Sequence, residues 1–262
     1  LKIRAVPVNA NFRYVDAELT YLYNDAKLAT VIADGEFSDV IADVLPKCPE
    51  LRHIVLIGEP AGPALADAAA AADVSVVDYH KASAAQSADR DFPDRSADDL
   101  YVIYTGGTTG MPKAVRHTHA AFAAAIRHWR SALGLTAEDR MQIMTPPSHI
   151  LGLLNIATVL DAGAWMRLHP RFDIDRMLTH IQDDRITIEM AVAPIALAIA
   201  AHPELERYDL SSLRYIMWCA TPVTQSVADT VTERIGVQWV SAYGASELPV
   251  IALTAKAMKE DR

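Results

Sequence analysis

The sequence predicts an α/β protein with two parallel or mostly parallel sheets flanked by helices. Three observations carry that reading. Short β-rich apolar runs alternate with stretches of helical periodicity along most of the chain. Capping residues and glycines stand at the junctions between them. Hydrophobic residues make up 51% of the 262 residues and charged residues 22%, enough apolar side chain to fill a core.

Taken in order, Asp16–Asn24 reads as a helix, Ala29–Ala33 as a strand and Phe37–Leu45 as a helix. His53–Ile57 is a strand, Ala64–Ala72 a packing helix and Val74–Val77 a strand. His80–Asp98, rich in Ala, Ser and Asp, reads as a linker between two lobes, 1–98 and 99–262. Leu100–Tyr104 is a strand leading into a Gly/Thr-rich loop. Phe122, Ile126, Trp129 and Leu133 then form a helical stripe that Gly134 terminates. Met141–Met144 is a strand, Ile150–Leu160 a helix and Trp165–Leu168 a strand. Asp173 caps a helix reaching about Asp184, and Ile186–Val192 is strand-like. Arg214–Trp218 is a strand, Thr224 caps a helix that Gly236 ends after Ile235, and Val237–Ala242 is the last strand.

Composition also excludes functions. Lys and Arg number 24 against 33 Asp and Glu, for a net charge of −9. There is no basic footprint for nucleic acid or for an anionic membrane surface. An anionic ligand must therefore be held by a local pocket. Cys48 and Cys219 form no metal or redox spacing and read as two reduced thiols of a cytoplasmic protein. No apolar run is long enough for an integral membrane segment; the best, Ile188–Ala201, contains Glu189 and Pro194. No signal peptide is visible, and the chain starts at Leu1 without a methionine.

Chemistry concentrates in Thr105-Gly106-Gly107-Thr108-Thr109-Gly110-Met111-Pro112-Lys113. Glycines let backbone approach a ligand, consecutive N–H groups can nest an anion, threonines add hydroxyls and Lys113 adds charge. The loop suits a polyphosphate. It is not a Walker A loop, because Met111 and Pro112 separate the last glycine from the lysine and Ala114 follows it. No dinucleotide fingerprint and no kinase signature is present.

From Tyr104 to Val115 the chain resembles the phosphate loop YTSGTTGxPKGV of the adenylate-forming superfamily, departing at Gly106 (usually Ser) and Ala114 (usually Gly). Tyr243-Gly244-Ala245-Ser246-Glu247 resembles that superfamily's YGxTE signature. Cys219-Ala220-Thr221-Pro222-Val223 stands where it carries a GAAPL-like segment, with Cys219 in place of a glycine and able to narrow an acyl tunnel. Pro147-Ser148-His149-Ile150-Leu151-Gly152 is similar to the segment whose His or aromatic residue gates the acyl pocket. Arg4–Tyr14 followed by Glu18-Leu19 is like a structural run of acyl-CoA synthetases. His117-Thr118-His119 has metal-ligand spacing but no third ligand nearby.

What the resemblance implies is an acyl-CoA synthetase of the fatty-acid type, an acid–thiol ligase using ATP, Mg²⁺ and coenzyme A. It assigns catalytic work to Lys113, His149, Ser246 and Glu247. Thr105, Gly106, Gly107, Thr108, Thr109, Gly110 and Lys113 would hold the β- and γ-phosphates. Ala220, Thr221, Pro222, Tyr243, Gly244 and Ser246 would hold the rest of the nucleotide, with Tyr243 on the adenine and Ser246 at the α-phosphate. Glu247 would hold the metal, and His149, Trp218, Cys219 and Gly244 would line the acid's pocket. Partners are then small molecules, and a homodimer stays open. Measured against that family, the chain reads as the central part of the large N-terminal domain. The ribose-binding aspartate, the hinge and the C-terminal lid domain with its lysine are absent. Two alternatives also stay open: an adenylating enzyme that passes its acyl group to another acceptor, or a catalytically incomplete nucleotide-binding fragment.

Overall fold

The computed structural model describes residues 3–89, 93–105, 110–219 and 224–254. It has the α/β class, with mostly parallel sheets flanked by helices. The chain divides into two compact units, Leu1–Arg116 and His117–Arg262. The phosphate-loop strand thus belongs with the first unit, whereas the linker composition placed the division at 98/99.

In the first unit, β1 (Val8–Asn9) pairs in parallel with β5 (Leu100–Thr105), and β6 (Lys113–Thr118), whose last two residues count with the second unit, lies on the other side of β5. A separate parallel sheet joins β2 (Thr30–Asp34), β3 (His53–Ile57) and β4 (Ser75–Asp78), with β3 central. α1 (Asp16–Asp25), α2 (Ser38–Val44) and α3 (Pro63–Ala72) pack Leu22, Ile41, Val44 and Leu65 against Ile54 and Leu56. Part of the linker-like segment is helical: α4 (Tyr79–Ala84) starts where the Asp78 side chain accepts from the Lys81 amide at 2.7 Å.

The second unit is built on a six-stranded sheet. Its order is β12 (Ala252–Leu253), β11 (Gln238–Tyr243), β10 (Tyr215–Cys219), β9 (Ile188–Ala191), β7 (Arg140–Ile143) and β8 (Trp165–Leu168). Pairing is parallel throughout, except that β12 runs antiparallel to β11. Central β9 and β10 are buried at every position, as strands covered on both faces must be. One face packs against α5 (His119–Leu133) and α6 (Ile150–Ala162), around Trp129, Leu133, Met141, Leu154 and Met217. The other packs against α7 (Ile174–Asp183), α8 (Ala193–Ala201) and α9 (Gln225–Ile235), around Met177, Ile181, Ile199, Ile216 and Val231.

The helix ends follow local chemistry. Thr118, Asp173 and Thr224 cap α5, α7 and α9 by accepting the amide three residues on. Gly134, Gly163 and Gly236 close α5, α6 and α9 in the left-handed region. The apolar run Ile188–Ala201 proves to be two elements. Pro194, in the first turn of α8, lets the helix begin directly after β9, because a helix needs no N–H there.

The strand ends opposite the site are tied by Asp139, 3% exposed. It accepts from the Thr136 amide at 2.9 Å, the Thr187 hydroxyl at 2.7 Å and Arg214 at 2.5 Å. Burial pushes its carboxyl upward, but these donors outweigh burial and hold it below the ordinary range.

Candidate active site

At the carboxyl ends of β10 and β11, where parallel α/β sheets bind ligands, the second unit forms a partly open cavity of about 230 Å³. Its walls come from four places. Trp129 is supplied by α5, His149 to Leu151 by the start of α6, Cys219 by the end of β10, and Ala242 to Ser246 with Pro249 by the end of β11 and the turn after it. Five residues predicted from sequence therefore share one cavity: His149, Cys219, Tyr243, Gly244 and Ser246.

His149 is the N-cap of α6. Its Nδ1 accepts the Leu151 amide at 3.2 Å, which leaves the hydrogen on Nε2. Partial desolvation by the surrounding chain lowers its pKa, although the residue as a whole is exposed. The imidazole is thus a neutral Nε2–H donor beside the cavity. Helix α6 begins against bare backbone: a Cβ on Gly152 would stand 2.2 Å from the Pro146 carbonyl oxygen, so only glycine fits there.

Cys219 is 5% exposed, and burial pushes its thiol up to about 12. It forms wall and does not serve as a nucleophile, which would need a thiolate. Trp129, 1% exposed, is held by a 2.8 Å hydrogen bond from Nε1 to the Asn155 Oδ1. Its sequence signal was only the helical stripe, so the cavity role was invisible there. Trp218 does not join the cavity. Successive strand residues face opposite sides, so with Cys219 inward Trp218 points into the other helical layer, edge-on to Trp239 at 4.4 Å between ring centres.

Tyr243 ends β11 and is 67% exposed. The chain then folds back: Ala245 and Leu248 exchange backbone hydrogen bonds of 3.0 and 3.1 Å, and the Ile251 amide donates to the Tyr243 carbonyl at 2.9 Å. Ser246 and Glu247 form the two-residue tip of this turn. Gly244 is required beneath it, because a Cβ there would lie 2.1 Å from the Pro249 carbonyl oxygen. Glu247 is exposed, and neither its carboxylate nor the Ser246 hydroxyl has a side-chain partner among the described residues. An open aromatic ring, a hydroxyl and an unpaired carboxylate on one fixed turn fit a base, a phosphate and a Mg²⁺ ion respectively.

In the first unit, Thr105 ends β5 and Lys113 begins β6, and the Thr105 hydroxyl donates to the Lys113 carbonyl at 3.4 Å across the base of the loop. Lys113 is exposed. Among the described residues, none comes within 4 Å of where a Cβ on Gly110 would stand. Gly106, Gly107, Thr108, Thr109, Ala220, Thr221 and Pro222 lie outside the described residues.

Residues 1–262 match the AMP-binding enzyme family. The chain belongs to that family. Among curated relatives, the indoleacetate–CoA ligase of Aromatoleum aromaticum is 37% identical over 158 residues, covering 60% of this chain and 31% of that protein. The 4-coumarate–CoA ligase 1 of Arabidopsis thaliana is 33% identical over 173 residues, covering 63% and 31%. An anthranilate CoA ligase solved with anthranoyl-AMP matches at a TM-score of 0.84 and 23% identity, covering 94% of this chain and 46% of that one. The N-terminal domain of FACL13 from Mycobacterium tuberculosis matches at 0.78 and 23%, covering 93% and 57%. At identities this low the structural likeness is one of fold. The chain spans about a third of the length of the curated relatives it matches. No helix among the described residues is long and apolar enough to cross a membrane.

Proposed function

We propose that the whole protein activates a carboxylic acid with ATP and transfers the acyl group to coenzyme A. The observation that carries this reading is the cavity beside the Ser246–Glu247 turn, which unites five residues of three family motifs in an AMP-binding enzyme. In the first step an oxygen of the acid bonds to the α-phosphorus of ATP and pyrophosphate leaves. In the second, the thiol of coenzyme A attacks the acyl carbon, AMP leaves, and the thiol proton passes to solvent or phosphate. Both partners of the first step are anions, so positioning and neutralised charge supply the rate.

Lys113 and the backbone of the 105–110 loop hold the β- and γ-phosphates. Tyr243 offers its face to the adenine, the Ser246 hydroxyl donates to the α-phosphate, and Glu247 holds Mg²⁺. When bound, that ion offsets phosphate charge. His149 donates from Nε2 to the acid, and Cys219, Ala242 and Trp129 bound the acyl group. Buried free thiols at Cys48 and Cys219 suit a reducing cytoplasm.

The acid on this reading carries an aryl group. The two curated relatives named above are CoA ligases of indoleacetate and 4-coumarate, which supports an aryl acid over the fatty acid that the resemblance implied. The test is acid-dependent exchange of pyrophosphate into ATP by the full-length protein, over aryl, short-chain and long-chain acids. Exchange with aryl acids, followed by thioester formation with coenzyme A, is expected. Exchange with no acid overturns the assignment. Exchange without thioester would point to another acceptor.

A further inference from the structure

One buried side chain outside the predicted site reaches the turn that carries Ser246 and Glu247. His117, 6% exposed near the end of β6, places Nε2 at 2.6 Å from the Ser246 carbonyl oxygen. A carbonyl only accepts, so Nε2 carries the hydrogen. The Phe122 ring lies beside the imidazole, 6.1 Å between centres. The turn's own bonds close its base, Ala245 to Leu248 and Ile251 to Tyr243. Its tip is held from the side by His117. The Ser246 carbonyl belongs to the same planar peptide unit as the Glu247 amide. Fixing that oxygen therefore fixes the plane from which both tip side chains depart.

We propose that His117 is a positioning residue for adenylation: through its bond to the Ser246 carbonyl it sets the direction of the Ser246 hydroxyl and the Glu247 carboxylate. This rests on the reading above, in which those two groups serve the nucleotide. His117 acts here through that bond and not on the substrate directly. Its burial keeps water from competing for the carbonyl, so the bond is made in a setting where hydrogen bonds are strong. Displacing a reacting group by about 1 Å costs up to a hundredfold in rate, which is the scale expected when the tip is released.

The test uses His117→Phe, which keeps a ring against Phe122 and removes the donor, and His117→Gln, whose amide N–H stands near where Nε2 was. In the full-length protein, His117→Phe is expected to lower kcat for acid-dependent pyrophosphate exchange by about ten- to a hundredfold, with the KM for the acid unchanged. His117→Gln is expected to recover most of the loss. Amide hydrogen exchange gives a readout apart from activity. In His117→Phe, the Ala245 and Leu248 amides should exchange faster while the Leu154 and Met217 amides keep their protection. Unchanged exchange at the turn, equal loss of protection in the core, or a His117→Gln variant as impaired as His117→Phe would each overturn the proposal. A wild-type protein that exchanges pyrophosphate with no acid would remove the assigned reaction. The turn amides would still report whether His117 holds the tip.

Discussion

Glu189→Gln should remove a pH-dependent loss of stability from this protein. Glu189 lies in β9 at 0% exposure, next to Gln142 of β7, whose amide donates to one carboxyl oxygen. The other oxygen has no partner among the described residues. Burial pushes the carboxyl up to about 8 from an ordinary 4.5, against the smaller pull of Gln142 and a backbone bond. The folded chain thus keeps a proton that the unfolded chain releases between those values. Stability is complete below the ordinary value, falls by about 1.4 kcal/mol per pH unit above it, and levels off past the folded value. The total loss is about 5 kcal/mol, of which about 3 kcal/mol is already incurred at neutral pH.

A glutamine keeps the shape, can still accept from Gln142, and does not titrate. The variant should match wild type near pH 4.5 and exceed it by about 3 kcal/mol at neutral pH. Urea unfolding of both proteins in steps from acid to mildly alkaline pH measures this directly. His169, whose Nε2 bonds Gln142 at 2.9 Å, has a pKa lowered by burial and by His180. It contributes the opposite slope to both proteins, which the difference cancels. An offset between the two that does not change with pH would refute the reasoning.

Three further outcomes are expected. Asp139→Asn should cost about 3 kcal/mol, because Arg214 loses its charge partner and the Thr136 amide and hydroxyl, which bond the other oxygen, would face an NH2 group. The carboxylate's contribution is present above its ordinary 3.8 and is lost as pH falls through the lower folded value, so the variant's acid-unfolding limb, followed by circular dichroism, should flatten. Gly152→Ala forces a methyl against the Pro146 and Thr145 carbonyls. A loss of about 1–3 kcal/mol in thermal unfolding and a raised KM for the acid are expected, since the displaced helix start carries His149. Trp129→Phe widens the cavity and strands the Asn155 oxygen. The kcat/KM ratio of a bulkier to a smaller acid should rise about tenfold, at about 1–3 kcal/mol of stability.

Much of the fold was legible residue by residue. Gly134, Gly236, Asp173 and Thr224 act where the sequence placed them. Strands rich in Val, Ile and aromatic residues were found, but β1, β6 and β12 were not. Two of these are two residues long, and Lys113–Thr118 carries Lys, Arg and His that read as loop. Of the candidate site, the motif residues were visible as patterns, while Trp129 and His117 were not. Trp129 looks like any member of a core stripe, and His117 looks like half of an incomplete metal pair.

The sequence by itself determined where elements start and stop and which loops carry chemistry. Caps, glycine stops and anion-binding loops are set by residues within a few positions of one another. Only the tertiary structure decided which faces meet. The register between β10 and its neighbours turns Cys219 into the cavity and Trp218 away from it. Glu189 finds Gln142 across 47 residues, and His117 finds Ser246 across 129. No local pattern encodes such meetings, because they arise only once separate apolar faces have been buried against each other and the register between strands is fixed.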